Sequence, residues 1–379
     1  MTKKIYLSPP HLSGEEENFV KDALDSNWVA PLGYHVDELE KEICRYTGAG
    51  GALALNSGTA GVHLALRLAG VGEGDVVLCS SLTFIASVNP VRYMGGKPVF
   101  VDSEPQSWNM DPGALERALH HLNKEGIFPK AAVVVNIYGQ SADMDIINDI
   151  CGNYGVTVIE DAAESLGATY RGRSSGTLGK YGVYSFNGNK IITTSGGGAL
   201  VSNDNAAMDK ARFWSAQARE PEIYYQHEEV GYNYRMSNIL AAIGRAQLKY
   251  LEDRVERRRE IYSKYYRELS GLPAITFMPE ADYGLSTRWL SVIYLEEQGG
   301  VEPSRLISAL EERGIESRPV WKPMHLQPLY SGCKYFTYRP GYSFSDKVFK
   351  RGLCLPSGSS LTEKEQDKVI DTIKSYFNM

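Results

Sequence analysis

Lys190 is the residue whose surroundings most suggest chemistry. It lies in SFNGNKIITTSGGG at 185–198, with the Ser185 hydroxyl five residues before it and three consecutive glycines after it. Glycine costs roughly 1 kcal/mol relative to alanine in regular structure, so three in a row imply a steric demand. A lysine held away from bulk water can lose its proton and attack a carbonyl to form a Schiff base; the alternative for Lys190 is an ordinary surface charge. A second segment, VIEDAAES at 158–165, puts Glu160 and Asp161 directly after an apolar run. Acids in that place point into the crevice where open α/β sheets take ligands. They can bind a metal, cap a helix or neutralise a protonated ring nitrogen. A third segment, NSGTAG at 56–61, reads as a small-residue turn between a strand and a helix. Glycine there lets backbone approach a ligand closely, and the free N–H groups of a helix start suit a phosphate. Small residues also occur at such turns for folding reasons alone.

The elements that must carry these segments alternate along the first two-thirds of the chain. Short apolar runs at 52–55, 76–79, 98–101, 131–135 and 156–159 have strand length, and helical patterns follow at 60–68, from about Phe84 and from about Asp111. Runs of this kind suit strands buried on both faces, so an α/β unit with a mostly parallel sheet is expected. Near the N-terminus Ser13 and Glu16 have the spacing of a capping box. Beyond about Leu240 the texture changes. A long charged helix at 248–269 carries Arg254, Arg257, Arg258 and Arg259 among glutamates, which reads as a solvated face rather than a basic patch. A β-like run at 289–295 and helices at 303–313 and 362–377 complete a smaller α+β unit. The expected division is 1–248 and 249–379.

Composition excludes several classes. With 379 residues, 43% hydrophobic and 23% charged, the chain is neither disordered nor a small disulfide scaffold. Forty Lys+Arg against 46 Asp+Glu gives a net charge of −6, which argues against nucleic-acid binding. Cys44, Cys79, Cys151, Cys333 and Cys354 form no CxxC pair, so no metal site is expected and reduced thiols are. The N-terminus lacks the apolar core of a signal peptide, and no run reaches the roughly 20 apolar residues of a membrane span. A soluble cytoplasmic protein follows as the expectation.

Together the three segments supply what pyridoxal 5'-phosphate (PLP) requires: a lysine for its aldehyde, an acid for its pyridine nitrogen, and amides with hydroxyls for its phosphate. The order SGT, EDAAES, SFNGNK and TTSGGG resembles the PLP-dependent sugar aminotransferases that act on nucleotide-linked keto-sugars. The resemblance extends over LSPP at 7–10, NWVAPLG at 27–33, QAREP at 217–221 and GYNYRMS at 231–237. It implies an aspartate-aminotransferase-like fold of type I, with a large mostly parallel mixed sheet flanked by helices and a smaller C-terminal α+β domain. Lys190 would then carry the Schiff base and Asp161 would pair with the pyridinium nitrogen. Ser185, Gly58 and Thr59 would hold the phosphate, and Phe84 would stack on the ring. Asn233 would reach the phosphate of the partner subunit in a homodimer with shared active sites. Many relatives have Gln or His at the position of Glu164, near the ring oxygen of the cofactor. Asn27, Trp28, Arg219, Trp321 and His325 are candidates for the sugar-nucleotide pocket. With RPVWKPMH at 318–325, the segment around Lys190 looks most like enzymes that aminate C4 of UDP-linked 4-keto-6-deoxy-N-acetylglucosamine, with L-glutamate as donor. A dehydratase branch has histidine in place of the lysine, which Lys190 disfavours. An NAD enzyme is disfavoured because no GxGxxG follows the first strand.

Overall fold

A computed structural model describes residues 4–377. Its largest sheet has the spatial strand order Gly51–Leu55, Gly198–Ser202, Tyr181–Ser185, Thr157–Asp161, Ala131–Val135, Val76–Ser80, Lys97–Val101 and Tyr335–Phe336. The first two pairings are antiparallel and the other five parallel. The sheet is therefore mixed but mostly parallel, as the apolar runs imply. Helices bury it on both faces, and Ala131–Val135 is buried throughout.

A second sheet is wholly antiparallel, in the order Ile275–Phe277, Ser291–Leu295, Gly352–Leu355 and Arg318–Pro319. Its core packs Ile293 and Leu353 against Ile261, Leu306 and Val369 of three helices. Two sets of pairings cross residue 248. Tyr335–Phe336 extends the large sheet, and Gly284–Leu285 pairs with Thr169–Tyr170.

Local details differ from expectation in three places. Instead of one helix from Phe84, a 3-10 turn at Ile85–Ser87 precedes a short helix at Asn89–Tyr93. Pro90 has no N–H to continue the ladder, so the helix restarts there. The long charged helix begins at Leu251, after the separate helix Asn238–Leu248. Its arginines do not form a solvated face: Arg254 and Arg258 are buried. At the N-terminus the helix starts at Glu16 and not directly after Ser13, because Gly14 turns through φ +97°. Glu16 still reaches back, accepting from the Ser13 amide at 2.9 Å.

Burial pushes the Glu16 carboxyl up, but the amides of Ser13 and Gly14 and the Gln247 side chain outweigh it and hold its pKa down at about 2. The folded state thus favours the carboxylate. Its contribution is full above the unfolded value of 4.5 and is lost as pH falls towards 2. Glu16→Gln should therefore lower stability by about 2 kcal/mol at neutral pH. Urea titrations should show that gap closing in acid; a gap independent of pH would contradict the assignment.

Candidate active site

The C-terminal ends of the parallel strands meet at one edge of the large sheet. There Asp161 ends one strand, Ser185 ends its neighbour, and Thr83 and Phe84 follow a third. These ends wall a cavity of about 460 Å³. Of the residues singled out from sequence, Gly58, Thr59, Phe84, Asp161, Glu164, Ser185, Lys190 and Trp321 line it.

Lys190 reaches the cavity from the turn after Ser185. Its Nζ is 3.7 Å from a Glu164 oxygen and 4.3 Å from the centroid of the Trp289 ring. Its side chain is only 13% exposed, so it is not a surface charge. The steric demand implied by the glycine run is real for two of its members. A Cβ on Gly198 would lie 2.5 Å from the Gly58 nitrogen, and one on Gly197 would lie 2.2 Å from Thr194 Oγ1. Gly196 has nothing closer than 4.0 Å.

The adjacent acids separate because consecutive strand residues face opposite sides. Glu160 turns away and accepts from the amides of Gly176 and Leu178 and from Asn136 Nδ2, which anchors the loop before the next strand. Asp161 faces the cavity, accepting from Ser87 Oγ at 2.7 Å and from the Ala163 amide at 3.1 Å. Burial pushes the Asp161 carboxyl up, and the Ser87 hydrogen bond works against it. Glu164 is likewise pushed up by burial, against the pull of Lys190. It accepts from the Tyr138 amide at 2.8 Å and from Trp321 Nε1 at 3.2 Å. Tyr138 holds a left-handed φ of +53° at this turn, and its hydroxyl accepts from the Trp321 amide.

At the opposite end, Ser57 caps the helix Gly58–Leu68 by accepting from the Ala60 amide. The amides of Gly58 and Thr59 meet no acceptor among the described residues, and Ser185 Cβ lies 3.2 Å from where a Gly58 Cβ would sit. Among the described residues no group of His, Cys, Asp and Glu could hold a metal ion, and no helix is long and apolar enough to cross a membrane.

The profile of the DegT/DnrJ/EryC1/StrS aminotransferase family matches residues 10–374. The chain belongs to this family. It is 53% identical over 378 residues to EpsN of Bacillus subtilis (strain 168), provisionally named a pyridoxal phosphate-dependent aminotransferase, covering 100% of this chain and 97% of the relative. It is 38% identical to the GDP-perosamine synthase of Caulobacter vibrioides over 97% of this chain and 96% of that one. Among solved structures, a DegT DnrJ EryC1 StrS aminotransferase from Brucella abortus superposes with a TM-score of 0.89 at 30% identity, over 97% of this chain and 96% of that one. The fold is therefore that of the type I PLP enzymes, and the protein is a PLP-dependent sugar aminotransferase.

Five sequence-derived candidates of this sugar aminotransferase lie outside the cavity. His325 is held between Ser81 Oγ at 2.7 Å and Asp346 Oδ1 at 2.8 Å, with its ring stacked on Tyr335. There it ties a strand end to the helix Phe344–Arg351. Arg219 is exposed with its guanidinium over the Tyr225 ring. Asn27 is exposed at φ +56°, and Trp28 lines a separate open groove. Asn233 is exposed, and its carbonyl accepts from Asn56 Nδ2 at the cavity rim. Sequence reasoning passed over Ser87, Asn189 and Trp289, which line the cavity. Asn189 stands inside the lysine motif, and that adjacency was a usable signal. Trp289 is 100 residues beyond Asn189 and had none.

Proposed function

We propose that this protein moves an amino group from L-glutamate to C4 of a UDP-linked 4-keto-6-deoxy-N-acetylhexosamine, forming UDP-4-amino-4,6-dideoxy-N-acetylglucosamine. One observation carries the reaction type: Lys190 Nζ shares a single cavity with the Asp161 carboxyl and with the Gly58, Thr59 and Ser185 cluster. The choice of sugar is supported by the segments at 185–198 and 318–325.

The chain's own groups fit PLP. Two acceptor-free amides and the Ser185 hydroxyl suit a phosphate, and a buried carboxyl at the far end suits a ring nitrogen. Bound there, PLP supplies an aldehyde for amine exchange and a ring that accepts an electron pair. Lys190 would hold the cofactor at rest and, once displaced, move a proton with Nζ as base and then acid. Asp161 would keep the ring nitrogen protonated. Phe84, 60% exposed, offers a ring face at the cavity mouth, and Glu164 orients Lys190. Trp321, fixed by Glu164 and Tyr138, walls the sugar side. Residues 1–248 would bind the cofactor while 249–379 close over the site.

A homodimer with shared sites is supported by the exposed segment carrying Arg219 and Asn233, where Ile223, Tyr225 and Val230 also face outward. Asn27 and Trp28, exposed beside one another, would join the sugar-nucleotide pocket in that assembly. The five free thiols accord with a cytoplasmic setting.

A second reading, amination of GDP-linked 4-keto-6-deoxymannose, is supported by the likeness to GDP-perosamine synthase. A panel of nucleotide 4-keto- and 3-keto-sugars with L-glutamate separates the two. The UDP-linked 4-keto-N-acetyl sugar should exceed the GDP sugar in kcat/KM by about 100-fold, the scale of discrimination one pocket commonly reaches. Preference for the GDP sugar, or turnover of a 3-keto sugar alone, would replace the proposal.

A further inference from the structure

The carbonyl of Asn189, the residue before Lys190, takes two hydrogen bonds from remote parts of the chain. Ser8 Oγ donates at 2.7 Å and Trp289 Nε1 at 3.0 Å. Both donors are held by Arg258. Its Nη2 donates to Ser8 Oγ at 3.0 Å, and its Nη1 donates to the Ser357 carbonyl at 3.0 Å and to the Trp289 carbonyl. The contacts close a ring from the helix Leu251–Leu269 through the N-terminal segment and the lysine turn to Trp289.

The ring has a defined polarity. A serine hydroxyl has one proton, and because Arg258 occupies a lone pair of Ser8 Oγ, that proton is directed to Asn189. Arg258 is 1% exposed and meets no carboxylate among the described residues. A buried cation whose Nη groups meet only neutral acceptors, and whose Nε meets none, is costly, and losing any of those acceptors adds to the cost. Burial pushes its pKa down to about 9, which leaves it charged at neutral pH. The N-terminal segment is fastened independently: Leu7 accepts from the Ser357 amide and donates to Glu316. Trp289 also presents the ring face against which Lys190 Nζ rests.

We propose that Arg258, Ser8 and Trp289 form a brace that acts through the Asn189 carbonyl to aim Lys190 Nζ into the cavity, which makes Ser8 and Arg258 positioning residues for the amine transfer. The inference rests on Lys190 being the lysine that links to PLP. Its effect falls on the approach of Nζ to the aldehyde and not on the contacts that hold the phosphate and ring.

The test compares two ligands on apoprotein. Pyridoxal phosphate can be captured covalently, with the link trapped by borohydride and mapped by mass spectrometry; pyridoxamine phosphate can only bind. Ser8→Ala should slow covalent capture at Lys190 about tenfold, a modest case of reacting-group misplacement. Affinity for pyridoxamine phosphate should stay unchanged although the Tm falls, because Ser8→Ala leaves a buried Arg258 N–H without its acceptor, and Ser8→Thr should restore capture to within about twofold of wild type. Arg258→Lys should show the same capture defect, and adding Ser8→Ala to it should cost nothing further. Capture by Ser8→Ala at the wild-type rate overturns the brace. So does an equal loss of pyridoxamine phosphate affinity, or a Ser8→Thr variant as slow as Ser8→Ala. If wild-type protein links at a lysine other than Lys190, the assignment of Lys190 fails and the brace with it.

Discussion

Lys190→Ala is expected to lower amine transfer by at least about 10⁴-fold and to remove the visible absorbance of the lysine-linked cofactor. The magnitude follows from two duties of one atom. In the proposed reaction Nζ bonds to the aldehyde and later carries a proton between two carbons, and acid–base catalysis alone contributes about 10²–10⁴-fold. No neighbour can substitute. The groups nearest Nζ are the Glu164 carboxyl and the Trp289 ring, and neither is an amine. Single-turnover mixing with L-glutamate, followed by absorbance, reads both duties. A variant that kept its absorbance and turned over would end the assignment. The same variant tests site sharing: mixed with Asn233→Ala, it should regain part of the activity in verified heterodimers if Asn233 serves the partner's cavity. Activity no higher than in the separate variants would mean self-contained sites.

Asp161→Asn should cut turnover by on the order of 10²–10³-fold, the usual scale for removing one preorganised electrostatic partner. Asparagine can keep the geometry, with its oxygen on the Ala163 amide and its NH₂ on Ser87 Oγ, so the loss reports charge rather than shape. In apoprotein the substitution should have the opposite effect on stability. Burial raises the Asp161 pKa above its ordinary value of 3.8, so the native state holds the proton more tightly than the unfolded chain. Stability therefore falls as pH rises from 3.8 through the folded pKa, and at neutral pH the buried carboxylate is a net cost. Apo Asp161→Asn should melt higher than apo wild type at pH 7, with the gap closing in acid. An asparagine variant with unimpaired glutamate conversion would remove Asp161 from the mechanism.

Much of the site was legible because its residues sit at strand ends within continuous motifs. Asp161 follows an apolar run of strand length, Ser185 and Lys190 share one motif, and a parallel sheet brings strand ends to one edge. The same local logic identified the alternating α/β pattern and the Gly58–Thr59 helix start. It could not tell which way each of two adjacent acids turns, a matter of strand register. It also failed for His325 and for the arginines of the long helix. Charge and aromatic character suggest exposure or ligand contact, yet Ser81, Asp346 and Tyr335 enclose His325.

The sequence by itself determined the cofactor chemistry of this sugar aminotransferase, five of the eight strands of its large sheet and the small-residue turns that chemistry requires. Those properties depend on residues within a few positions of one another. Tertiary structure alone decided what surrounds the lysine. Ser8 and Trp289 converge on the Asn189 carbonyl from 181 and 100 residues away, and Arg258 holds Ser8 across 250 residues. No periodicity or motif records such a meeting, because a hydrogen bond depends on position in space and the chain places those three side chains together only once both sheets are packed.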